Sequence, residues 1–301
     1  MGPGGSMPVK AEFRFTGAEA DNGLIEFYDV AQALIGFERS LAITVHAVIN
    51  GEVITQAPSL RGARLLVEPP ETGSWKIVAA IVGTVWAAGQ ASHDSVVGHL
   101  MFSAYDYVVS SSLGVHVDFD KSLGQLIEEA KSKNVSLPKL TESRLDSVVE
   151  KCEVAIRDMH RPIVKSESAY QAQVNFLLPD GVKPIRAVLD HETFGYISYT
   201  EEMPETLEVS GFVTSYNVNT YKGRIFTIED ERPIPFELTE EGQNFSNINL
   251  VTSSLRSNAL ARSKGDGKIY MLARKLVSPS GVIKKYIVFS VAEASAIKLI
   301  V

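Results

Sequence analysis

Lysine and arginine crowd one end of this chain: Leu250–Val301 carries nine of them against Asp266 and Glu293 alone. That stretch is +7 in a protein of net charge −7, which leaves −14 on residues 1–249. Cations gathered in this way favour the holding of anions, polyanions above all. Aromatic side chains are interleaved with them, as Tyr216, Tyr221, Phe226 and Tyr270. Single-stranded nucleic acid is commonly held by such a combination, with phosphates on cations and bases on rings. The candidate ligand-binding residues, for a nucleic acid or a nucleotide, are therefore Tyr216, Lys222, Arg224, Arg262, Lys264, Lys268, Tyr270 and Arg274. Arg262-Ser-Lys-Gly-Asp-Gly-Lys268 is a glycine-bearing loop whose N–H groups and lysines suit a phosphate. It is no Walker loop, because position 262 is not Gly and Ile269 follows the lysine, and it also reads as a plain hairpin turn.

Enzyme chemistry has less to stand on. His116, Asp118 and Asp120 alternate, which on a strand would put three metal ligands on one face, so a metal-dependent phosphoesterase is the alternative reading. Asp118 or Asp120 capping a helix that begins near Lys121 is the plainer role. His191-Glu192 lacks the second histidine of a zincin helix, and no Gly-x-Ser-x-Gly elbow occurs. Cys152 shares a helical stripe with Leu145, Val148, Ala155 and Met159, so it reads as a core thiol rather than a nucleophile. No cofactor is expected. One cysteine excludes an intrachain disulfide and, with no signal-peptide pattern after Met7, suits a cytoplasmic protein.

The elements that must position these residues follow from periodicity. Val9–Thr16 alternates as a strand, and Phe27, Val30, Leu34, Phe37, Leu41, Thr44 and Val48 mark a long amphipathic helix ending at Asn50-Gly51. Leu60–Val67 is a short extended segment between prolines. Ile77–Ser92 has no charge and reads as a helix of sixteen residues, about 24 Å long against a bilayer core of about 30 Å, so a membrane span is not expected. Ala79, Gly83, Ala87 and Ala91 fall on it at i, i+4 spacing, a small-residue line suited to close helix pairing and the candidate oligomer interface. Asp94 or Ser95 would cap a helix through Leu113, Ser122–Lys133 is a shorter one, and Thr141 opens another before Pro162.

Beyond Ser166 the pattern becomes β. Strands are expected at Tyr170–Leu178, Pro184–Leu189 and Gly195–Tyr199. Five more follow at Leu207–Tyr216, Gly223–Ile228, Ile234–Leu238, Ile269–Val277 and Val282–Val291, enough for a small closed barrel. The fold class is α+β: residues 1–6 an appended leader, 7–163 a mainly helical domain with a small sheet, 164–204 a β-rich connecting segment, and 205–301 a small antiparallel barrel.

A long helix over Leu24–Ile49, then Ser59-Leu-Arg-Gly-Ala-Arg64, then Gly73-Ser-Trp-Lys-Ile77 and an apolar stretch resembles an uncharacterised bacterial family of hypothetical proteins. Some proteins of that layout lie in phage-defence or mobile islands, so the resemblance implies a defence or sensing role. It spans roughly residues 9–130 and transfers no catalytic residue. Residues 205–301 resemble a small barrel of the oligonucleotide-binding kind by strand count. The expected protein is non-enzymatic, self-associates through its first half and binds an anionic ligand through its second. An acidic protein partner, encoded nearby, is the third possibility.

Overall fold

The computed structural model describes residues 8–69, 75–83, 96–132, 138, 140–178, 181–230, 232–260, 267–279 and 281–293. The chain divides into two compact units, residues 1–198 and 199–301.

In the first unit five strands form an antiparallel sheet in the order β2-β3-β1-β4-β5: β1 (Val9–Thr16), β2 (Ala63–Val67), β3 (Lys76–Gly83), β4 (Gln171–Leu178) and β5 (Gly181–Pro184). Alternation in β1 sends Val9, Ala11, Phe13 and Phe15 to one face, all of them inaccessible to water, and Lys10, Glu12 and Arg14 to the other. The apolar face is covered by α1 (Phe27–Asn50) and α2 (Val96–Ser112), through Phe13 against Phe37 and Phe176 against Tyr105 and Phe102. The short α3 (Gln125–Ser132) follows, and α4 (Glu142–Asp158) packs on α1 and α2 as a further layer. Because α1 lies between sheet and α4, its residues 40–48 are buried without a break, as befits a helix apolar on every side. It stops at Gly51, whose φ of +67° only glycine adopts without strain. α5 (Arg161–Val164) and α6 (His191–Ser198) complete the unit.

Several expectations are corrected here. Residues 77–83 are strand, not helix: Ala79 pairs with Ala11 and Val67, and Gly83 with Ala63. A short apolar run carries no period that separates a buried strand from a helix, and β3 lies between two strands. Ala79 and Gly83 therefore share no helix face, while Ala87 and Ala91, like the caps Asp94 and Ser95, fall outside the described residues. Residues 164–198 are no separate segment, because β4 pairs with β1 along seven residue pairs. The expected strand at Gly195–Tyr199 is mostly α6, opened by a reciprocal cap in which Thr193 N–H donates to Asp190 Oδ1 (2.8 Å) and Asp190 N–H to Thr193 Oγ1 (2.9 Å). The expected strand at Pro184–Leu189 reduces to the end of β5 and a single bridge, Ala172 to Leu189.

The second unit is the barrel. β7 (Leu207–Asn217), β8 (Lys222–Thr227) and β9 (Arg232–Leu238) run antiparallel in sequence; β11 (Ile283–Ala292) lies parallel to β9, and β10 (Ile269–Val277) closes the ring between β11 and β7. The two-residue β6 (Glu201–Glu202) pairs with the last residues of β10, Leu276 and Val277, past the stretch that β7 occupies. Between β9 and β10 runs α7 (Phe245–Leu260), absent from the sequence reading. Its buried side is polar for a reason: β7 extends beyond the end of β10, and α7 completes the hydrogen bonding there. Val213 N–H donates to Ser254 Oγ (3.1 Å) and Asn258 Nδ2 to Val213 O (3.2 Å), while Val291 N–H donates to Asn247 Oδ1 (3.1 Å). Among the described residues no helix is long and apolar enough to cross a membrane.

Candidate nucleic-acid interface

The ring order of the barrel, with its third and fifth strands parallel and a helix between the third and fourth, is the connectivity of the oligonucleotide- and oligosaccharide-binding fold. In that fold ligands lie across the outer side of the second and third strands, here β8 and β9.

Register decides which side chains reach that surface. Val213, Ile225 and Ile234 are fully buried and point inward, so Phe212, Phe226 and Pro233, their neighbours in the ladder, point outward. Phe212 stands directly opposite Phe226, and Phe226 opposite Pro233. On the other side of β7, Tyr270 pairs with Ser210, and the ammonium of Lys268 lies 5.1 Å from its ring centre. Phe212, Phe226 and Tyr270 are half-buried, and none packs into the barrel core. They form an aromatic row across three adjacent strands, with directly opposed side chains about 5 Å apart and diagonal ones about 7 Å.

The eight predicted ligand residues separate on this frame. Lys222 and Arg224 alternate with Gly223 and the buried Ile225, so they join Phe226 on the outer side of β8, Arg224 being largely buried there. Lys268 and Tyr270 belong to the aromatic row. Arg274 lies further along β10, paired with Glu202 at 3.0 Å and over the ring of Phe289. Tyr216 is not on the outer face: its ring stacks on Phe236, a core residue, with centroids 6.2 Å apart, and burial followed by the nearness of Tyr221 raises its pKa. Arg262 and Lys264 fall outside the described residues. Phe212 was missed, although its i+2 alternation with Ser210 and Thr214 on a strand was there to be read.

Charge also looks different once the strands are paired. Residues 199–301 hold twelve Lys and Arg and twelve Asp and Glu, so the barrel is balanced and the net −7 belongs to residues 1–198. Folding sets the basic C-terminal strands against acidic ones, as in Lys285 to Glu237 at 2.9 Å, a glutamate that also faces Lys222 across the ladder. A segment's charge along the chain is thus not a field in space.

The histidine–aspartate triplet belongs to the first unit. Asp118 Oδ1 accepts from Lys121 N–H at 3.1 Å and Oδ2 lies 3.4 Å from its ammonium. Burial opposes its charge, but Lys121 outweighs burial and, with His116, holds the carboxyl below its usual range. The capping role foreseen for it is the one it has. Among the described residues no three His, Cys, Asp or Glu side chains converge as a metal site. Cys152 is fully buried, its pKa pushed up to about 12, chiefly by burial. A thiol-alkylating reagent at pH 8 should therefore leave Cys152 unmodified in the native protein and label it fully in denaturant, as read by mass spectrometry.

A second titratable group, unremarked in the sequence, closes the C-terminus of α1. His46 is buried, and its Nδ1 accepts from Arg61 N–H at 3.2 Å, which puts the ring hydrogen on Nε2, 3.9 Å from Glu52 Oε2. Burial first, then Arg61, lowers its pKa against the pull of Glu52. Asn50 Nδ2 donates to Arg61 O at 2.9 Å, so the pair fixes the backbone that enters β2.

The chain is thus a two-part α+β protein, an α+β domain followed by a small closed five-stranded barrel. The chain belongs to the family described as domain of unknown function DUF7946, which takes in residues 11–198; residues 205–292 match a second, the family of unknown function DUF7947. No curated protein and no solved structure matches it.

Proposed function

We propose that this is a non-enzymatic binding protein whose barrel takes single-stranded nucleic acid, or a nucleotide, on the outer face of β7, β8 and β10. The observation that carries this reading is the row Phe212, Phe226 and Tyr270, three aromatic rings on the outer side of the barrel that its core does not need, of which Phe226 lies on β8. Lys268 beside the row, with Lys222 on β8, supplies phosphate contacts. A defence role, as the sequence resemblance implies, is consistent with such binding and is part of the proposal.

Because the barrel is electrically balanced, stacking rather than charge should dominate. Fluorescence anisotropy of labelled single-stranded DNA and RNA with the full chain, at several salt concentrations, tests this. Two cationic contacts limit the salt slope to about 1.4 log units per decade, at about 0.7 per contact. Phe212→Ala or Tyr270→Ala should cost about 1–3 kcal/mol per lost base stack with that slope unchanged, whereas Lys222→Glu with Lys268→Glu should flatten it. Absence of binding at low salt, or binding indifferent to both aromatic substitutions, overturns the reading.

A further inference from the structure

We propose that the first unit associates with a second copy of the chain through the free edge of β2, paired antiparallel to itself about a two-fold axis at Leu66. The proposal is independent of what the barrel binds.

Among the described residues β2 is the outermost strand of its sheet. Glu68 N–H donates to Val78 O, and hydrogen bonding alternates along an antiparallel ladder, so Arg64, Leu66 and Glu68 direct their backbone groups at β3. Ala63, Leu65 and Val67 therefore direct theirs outward, which is a template for another strand. Along Ala63–Val67 the edge contains no proline or bulge, and its apolar side chains are accessible, Leu66 being 43% exposed and Val67 66%.

The same residues say which strand fits. With the axis at Leu66, Leu65 of one copy meets Val67 of the other as a hydrogen-bonded pair, using the outward N–H and C=O groups of both. Leu66 meets Leu66, and Arg64 meets Glu68. That last pair is complementary in charge and occurs twice by symmetry, as an isologous contact requires. Arg64 is exposed and has no ion-pair partner among the described residues, while Glu68 holds Lys10 at 2.5 Å and still has 37% of its side chain exposed. Pairing ends at Pro69, which has no N–H to give. Two five-stranded sheets would thereby become one continuous sheet. A single strand pair buries less than a standard interface, so the dimer should dissociate on dilution.

Sedimentation velocity on the full chain over a concentration series is the test. The wild type should show a concentration-dependent dimer. Val67→Pro removes an outward N–H without touching the ladder to β3, and should give a monomer at every concentration with native far-UV dichroism. Arg64→Glu and Glu68→Arg should each weaken association about tenfold, and the double variant should recover it relative to either single one. This exchange keeps the test decisive if Val67→Pro fails to fold. A wild type monomeric throughout, a dimer indifferent to Val67→Pro, or a double variant no better than the singles overturns the proposal.

Discussion

Gly36→Leu should abolish the native fold of the first unit or cost it about 4 kcal/mol or more. A Cβ built on Gly36 collides with the carbonyl oxygen of Ala155 on α4, and the Met159 side chain lies 3.2 Å away. The obstacle is backbone, so no rotamer change relieves it and the two helices must separate. Gly36→Ala divides two effects of opposite sign. Alanine improves helix propensity by about 1 kcal/mol, whereas the overpacked contact costs about 1–3 kcal/mol. A net loss is expected, read from the shift of the urea midpoint at constant slope. Gly195→Ala in α6 is the control: an added Cβ there meets nothing within 4 Å, so only the propensity gain remains and stability should hold or rise.

That contact shows where the sequence was legible and where it was not. A line of small residues on one helix face is present on α1, whereas Ala79 and Gly83 lie on β3. Gly36, Ser40 and Thr44 recur at i, i+4, and Ser40 reaches Met159 Sδ at 3.8 Å while its carbonyl accepts from Cys152 Sγ at 3.9 Å. Long apolar periods made α1 and the stripe of α4 readable, because twenty-four and seventeen residues repeat a 3.6 spacing many times. The run Ala79-Ala-Ile-Val-Gly83 is too short and too uniformly apolar to choose between helix and strand. α7 was invisible for the opposite reason. Its buried positions Asn247, Val251 and Ser254 include one apolar residue, since the helix mends a strand edge with hydrogen bonds while Ile248 and Leu255 pack on the core. The barrel strands were read almost to the residue, yet the residues of the candidate face do not all share one surface. Strand alternation places Lys222 and Phe226 together, but the interior stacking of Tyr216 and the charge balance of the barrel appear only when β7, β8 and β9 are brought into register.

The second large effect is a loss of stability in mild acid, centred on His160. This ring is fully buried where α4 meets α5; its Nδ1 lies 2.9 Å from Ile156 O, which can only accept, so Nδ1 carries the hydrogen, and Nε2 lies 3.1 Å from Thr193 Oγ1. The histidine thus ties the end of α4 to the cap of α6. Burial lowers its pKa from 6.5 to about 4, only partly offset by the Ile156 carbonyl and Asp190, with His191 adding a little to the lowering. The folded protein therefore keeps His160 neutral where the unfolded chain takes up a proton. Its contribution is complete above pH 6.5, declines as pH falls from there, and levels off below about 4, where both states are protonated. At about 1.4 kcal/mol per unit the total is about 3 kcal/mol. Urea unfolding of the wild type and of His160→Gln at intervals between pH 7 and pH 4.5 isolates it from the carboxylates, whose own titration is common to both proteins. The variant should be less stable at pH 7, because the tie to Thr193 is altered, yet lose less on acidification, so the two curves converge as the pH falls. Parallel curves would mean that His160 is protonated in the folded state as readily as in the unfolded one, and that burial does not hold it neutral.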